Sequence, residues 1–175
     1  MDIADLLRNK EMKSIEKRAE IVEGIKTKLI GIQDILQLKD VLDDKKMAVV
    51  FEAMEAVTAK EAGLADKGWL LFAQDYITSE SNSLKREASR LVGNIAHLFP
   101  DDLDAAISRL LENTKNDGAV VRWASAYALG RIVPIQKYAN GDLFDVVSEL
   151  YEQEEDNGIK NQYLSGLKKA RKLRG

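Results

Sequence analysis

The sequence predicts an all-α solenoid of stacked helix pairs, and three observations lead there. The segments "LKREASRLVGNIA" (Leu84–Ala96) and "VRWASAYALGRIV" (Val121–Val133) follow one template 37 residues apart. The shared order is aliphatic, cation, two free positions, small, small, free, small or aliphatic, aliphatic, Gly, free, Ile. Self-similarity at such a period marks a repeat architecture. Apolar residues recur at spacings of three and four, and no long stretch alternates as a strand would. Ala, Leu, Glu and Lys dominate, aromatic residues make up 6%, and Pro occurs twice in 175 residues, a composition that favours helix.

Each element follows from its apolar stripe. Residues 1–30 read as two amphipathic helices, through Ile3, Leu6 and Leu7 and then through Ile15, Ala19, Val22 and Ile25. They fit the template poorly, as a terminal cap does. In the first unit Ile32, Ile35, Leu38 and Leu42 pair with Met47, Val50, Phe51, Met54 and Val57. In the second, Trp69, Phe72, Ala73, Tyr76 and Ile77 pair with Leu84, Ala88, Leu91, Val92 and Ile95 across "TSESNS".

The third unit offers Asp101 or Asp102 as an N-cap after Pro100. Leu103, Ile107, Leu110 and Leu111 then form a stripe, and "NTKNDG" is a turn. Val121, Ala124, Ser125, Ala128, Leu129 and Ile132 make the next buried face, which Pro134 closes. The fourth unit repeats this with Leu143, Val147, Leu150 and Tyr151, a turn at "EEDNG", and Ile159, Tyr163, Gly166, Leu167 and Ala170.

These repeats resemble the HEAT-repeat family, including its armadillo relatives. The match is best at Leu84–Ala96 and Val121–Val133 and weaker over Met47–Val57 and Ile159–Ala170. Glu55 and Lys168 stand in the Gly slot, Met47 in the cation slot, and Gly166 where Ala is usual. The resemblance implies a right-handed α-solenoid of about four HEAT-like helix pairs. Residues 1–30 would be the N-terminal helical cap and 31–175 the repeat domain.

In HEAT-like proteins an Asp before the second helix pairs with the template cation across neighbouring repeats. Here the cations are Lys85, Arg122 and Lys160, and five positions before them stand Glu80, Asp117 and Glu155. The expectation is a structural charge ladder that holds the stack in register. Gly93 and Gly130 recur at one slot although Gly costs about 1 kcal/mol relative to Ala inside a helix. Close approach of another helix is the expected reason.

The resemblance also places the second helices on a concave surface. Trp123, Tyr127 and Arg131 fall opposite or beside the apolar centre of their helix at about 100° per residue. Their template equivalents are Arg86, Arg90 and Asn94 in the second unit, with His97 one turn on, and Lys169 in the fourth. Trp, Tyr and Arg are enriched at interface hot spots. These residues are therefore the expected partner-binding groove.

Composition narrows the function classes. With no Cys and one His, there is no disulfide framework, thiolate centre or multi-His metal site. Neither a catalytic motif nor a cofactor fingerprint occurs, and His97 reads as a helix-end residue. No segment approaches the roughly 20 apolar residues of a membrane span, and the charged N-terminus lacks a signal peptide's core. A cytoplasmic protein is expected, without enzyme activity, metal or cofactor.

The net charge of −3 disfavours a constitutive nucleic-acid binder. Two blocks end the chain. Asp142, Asp145, Glu149, Glu152, Glu154, Glu155 and Asp156 form an acidic run, and Lys160, Lys168, Lys169, Arg171, Lys172 and Arg174 a basic one. They are expected to face each other across the last helix pair, the cations also suiting the final helix's dipole.

The leading functional expectation is a scaffold or adaptor that binds a protein or acidic peptide segment on its concave face. The alternative is a nucleic-acid-binding, repair-type HEAT protein using Arg86, Arg90, Arg131 and Lys169. HEAT-like bilin lyases add a third class, for which pigment transfer would follow.

Overall fold

Capping chemistry sets most helix starts. Asp2, Asp43, Ser81 and Asp156 each accept a backbone N–H from three residues on, at 3.0, 2.9, 3.4 and 3.1 Å, which satisfies one orphan donor of the first turn. Glu16 and Asp34 reach back to the N–H groups of Lys13 and Gly31 at 2.6 and 2.8 Å. The computed structural model describes residues 2–175, and among them every regular element is helical.

The α-helices are α1 (Ile3–Arg8), α2 (Ser14–Lys26), α3 (Ile32–Leu36), α4 (Asp44–Thr58), α5 (Lys67–Gln74) and α6 (Asn82–Ile95). They continue as α7 (Asp104–Asn113), α8 (Ala119–Ile132), α9 (Gln136–Ala139), α10 (Asp142–Gln153) and α11 (Asn157–Arg171). Short 3₁₀ turns follow α4 and α6 at Ala62–Leu64 and Ala96–Leu98. None of these helices is long and apolar enough to cross a membrane.

Two sets of helices pack on each other. In one, α2 packs on α4, α4 on α6, α6 on α8 and α8 on α11, and these are the principal contacts of the fold. In the other, α3, α5 and α7 touch in turn, and α5, α7 and α10 lie on α6, α8 and α11. The two template segments therefore sit side by side. Leu91, Ile95, Leu110, Ala128, Leu129, Ile132 and Val147 are fully buried, and one apolar core runs from Ile3 to Ala170.

Glycine permits the tightest crossings. A β-carbon on Gly93 would sit 3.0 Å from the Cα of Ala128. One on Gly130 would run into the carbonyl of Gln162, and one on Gly166 into the backbone of Gly130. The recurrent slot thus marks close approach of a neighbouring helix, at α6–α8 and again at α8–α11.

Several local expectations are corrected. Neither Asp101 nor Asp102 caps α7, whose N-cap is Leu103. The Asp102 carboxylate instead takes an ion pair from Lys67 at 2.9 Å. Ile15 is exposed, while α2 buries Ile21, Gly24 and Ile25. At about 100° per residue, Ile15 lies well off the face that Ile21 and Ile25 share. The helix expected through Ile32–Leu42 stops at Leu36, and turns carry Leu38 into the core. After Pro134 the short α9 brings the Tyr138 hydroxyl to donate to the carbonyl of Pro100 at 3.0 Å.

Candidate functional site

Helices α4, α6 and α8 bring most of the expected groove residues together. The rings of Trp123 and Tyr127, one turn apart on α8, stack with centroids 5.4 Å apart. The Arg90 guanidinium on α6 lies 5.9 Å from each ring. That of Arg131 covers Tyr127 at 3.6 Å, within cation–π range. Trp123 and Tyr127 are half-buried, and Arg131 is exposed.

Beneath this surface lies a polar network. Asn94 is buried; its amide donates to the backbone carbonyl of Glu55 at 3.3 Å and to the Thr58 hydroxyl at 3.1 Å. Its carbonyl oxygen accepts from the Tyr127 hydroxyl. One side chain of α6 thereby ties α4 to α8. Burial pushes the Tyr127 phenol above its ordinary pKa against the lowering pull of Arg131.

The arginines are not all free to meet a partner. Arg90 pairs with Glu55 at 3.0 Å and lies 3.9 Å from Glu87. The Nε of Arg86 donates to Glu87 at 2.9 Å. Both carboxylates are nearly buried, so the forked donors expected for a ligand face inward instead. Burial raises the Glu87 pKa above its ordinary value although Arg86 and Arg90 pull it down. Arg131, by contrast, forms no ion pair among the described residues. Lys169 is exposed on α11 and shares no hydrogen bond or ion pair with the other groove residues.

Glu55 and Glu87 were not visible as partners of these arginines. The signal for Glu55 was its place in the glycine slot. Asn94, three residues before His97, was legible as a groove residue but not as a bridge. A cleft of about 300 Å³ opens beside the network, lined by Thr58, Lys60, Gly93, His97, Tyr127 and Arg131 among others. His97 is exposed at the end of α6, in the following 3₁₀ turn.

The expected charge ladder does not form. Arg122 pairs with Glu154 at 3.2 Å rather than with Glu155, and donates to the backbone carbonyls of Asn116 and Asp117, both at 3.0 Å. The Asp117 carboxylate is not its partner. Among the described residues no ion pair joins Lys85 to Glu80 or Lys160 to Glu155; the Lys160 ammonium sits over the Tyr151 ring at 4.6 Å. The longer Glu side chains at the Asp slots, Glu80 and Glu155, are exposed. A cavity of about 600 Å³ between Arg122, Glu154 and Tyr163 marks this junction.

The terminal acidic and basic runs do not interlock either. Among the described residues Arg122–Glu154 is the only ion pair involving either run, and Arg122 belongs to neither helix of the last pair. Arg174 folds back to the carbonyl of Ala139 at 3.0 Å and over Phe144 at 4.0 Å. Packing of α10 on α11 rests on apolar residues such as Val147 and Tyr163, and apart from Glu154 and Lys160 the charges of both runs are exposed.

No protein-family model and no curated protein matches the chain. Among solved structures, it is similar to the crystal structure of an engineered protein from the Northeast Structural Genomics Consortium. That likeness has a TM-score of 0.59 at 14% identity and covers 99% of this chain and 98% of the other. At that identity the likeness speaks for an all-helical fold shared along the whole length.

Proposed function

We propose that this chain is a non-enzymatic scaffold or adaptor of the cytoplasm, built as a short right-handed α-solenoid of HEAT-like helix pairs. It would hold a protein segment against the face formed by α6 and α8. The stacking order of α2, α4, α6, α8 and α11 supports the solenoid reading. The observation that carries the functional one is the Trp123–Tyr127–Arg131 surface. There two stacked rings lie half open, beside a guanidinium that forms no ion pair among the described residues.

Flat aromatics offer contact area at low entropy cost, and a guanidinium on a ring face remains a forked donor for a carboxylate. The fitting partner is an extended segment with one apolar anchor and a nearby acidic residue. A nucleic acid fits less well. Arg86 and Arg90 are neutralised from within, and Arg131 and Lys169 remain as the cations of the expected groove.

Selection of a random peptide display library on the wild-type chain, with counter-selection on a Trp123→Ala/Arg131→Ala variant, tests this reading. The expected peptides pair an aromatic or large aliphatic residue with Asp or Glu. Recovery of basic peptides, or of peptides that bind the variant equally, would reject the site. Steeply salt-dependent binding of a random DNA duplex that Arg131→Ala weakens would favour the nucleic-acid alternative.

A further inference from the structure

A second surface, on α7, α9 and α10, has chemistry of its own. Between α7, α9 and α10 runs an open groove of about 510 Å³. Ile107 and Leu111, one turn apart on α7, form one wall, and Leu143 and Val146 on α10 form the other. Their spacing turns two residues from each helix toward the same space. Val146 is 36% exposed, while Ile107 and Leu111 are only partly covered.

The rim is mostly acidic. Asp104 and Asp142 stand at the groove, and Asp145 and Glu149 continue along exposed α10. None of these four carboxylates has an ion-pair partner among the described residues. The cation lining the groove, Lys137, lies over the Tyr138 ring at 5.4 Å and 3.7 Å from Asp101. An apolar floor within an uncompensated acidic rim is complementary to a basic amphipathic helix.

We infer that the α7–α10 groove is a docking site for a partner's basic amphipathic helix, with apolar side chains at i, i+3 or i+4 seated between Ile107, Leu111, Leu143 and Val146. The flanking Lys or Arg residues of that helix would meet Asp104 and Asp142. This inference does not rest on the α6–α8 surface, and the two can fail separately.

The test titrates the full chain into a fluorescein-labelled synthetic Leu–Lys helix and, separately, a scrambled peptide of equal composition. The expected result is saturable binding of the helix, at least tenfold tighter than the scrambled form. Val146→Glu should weaken it about tenfold or more, although that change makes the surface more acidic. Asp104→Asn/Asp142→Asn should also weaken it, and Trp123→Ala/Arg131→Ala should leave it unchanged.

Unspecific attraction predicts the reverse for Val146→Glu, so stronger or equal binding by that variant overturns the proposal, as does equal binding of the scrambled peptide. Sedimentation of the chain alone distinguishes the remaining occupant. Self-association that Val146→Glu abolishes would assign the groove to a second copy and overturn the partner-helix assignment.

Discussion

Gly166 of α11 sits directly against Gly130 of α8. A β-carbon added to Gly166 would lie 2.6 Å from the Cα of Gly130, with the Gly130 carbonyl nearer still. Backbone cannot rotate aside as a side chain does, so these two positions set how closely the last helix can join the stack.

Gly166→Ala should therefore destabilise the fold, against the usual helical gain of about 1 kcal/mol for Gly→Ala. Forced overpacking costs about 1–3 kcal/mol, and the α8–α11 joint must spread to relieve it. Urea unfolding of Gly130→Ala and Gly166→Ala should each show a loss. A gain in either would mean that the helices do not cross here.

Leu129 tests the core face of the same helix. It is fully buried, so Leu129→Ala should cost about 2–5 kcal/mol. A loss below about 0.5 kcal/mol, typical of surface changes, would place α8 the wrong way round.

Two arginines on one surface should behave differently. Arg90→Ala leaves Glu55, 7% exposed, without its cation, while Glu87, 4% exposed, keeps Arg86 alone. The expected loss is about 1–3 kcal/mol, below the roughly 3–5 of a fully buried pair because Arg90 keeps partial solvent access. Arg131→Ala should cost about 1 kcal/mol or less, the worth of an exposed cation–π contact. Equal thermal midpoints for the two variants would contradict this division into a structural and a surface arginine.

Glu87 gives the cluster a pH signature. Burial holds its native pKa above the ordinary value despite Arg86 and Arg90. The folded chain thus binds this proton more tightly than the unfolded one. Its stabilising contribution is complete below the ordinary Glu pKa and is lost as pH rises through the elevated native value. The melting temperature of wild type minus that of Glu87→Gln should fall as the pH is raised above the ordinary Glu pKa of about 4.3. A difference that rises instead would reverse the sign of the burial effect.

The helical layout was legible because burial follows periodicity. The stripe through Val121, Ala124, Ala128, Leu129 and Ile132 is buried throughout. Gly93 and Gly130 carried their reason in recurrence, since a costly residue at one slot implies a steric demand. Ion-pair partners were not legible in the same way. Arg122 found Glu154 rather than Glu155, and Arg90 found Glu55 from 35 positions upstream, because a long side chain selects among several acids by geometry that spacing does not encode. Ile15 failed for a related reason: a single apolar residue in a first turn does not determine which face of α2 turns inward.

Trp123 can report directly on the central proposal, that the α6–α8 face binds a protein segment. The other indole, Trp69, is buried, so Trp69→Phe leaves Trp123 as the sole tryptophan probe. A peptide selected on wild type and carrying an apolar anchor beside an acidic residue should shift and saturably change Trp123 emission. The midpoint should match that of the peptide's own fluorescence anisotropy, and Arg131→Ala should weaken both about tenfold. Tight binding by anisotropy with unchanged Trp123 emission would put the partner on another face and contradict the proposal.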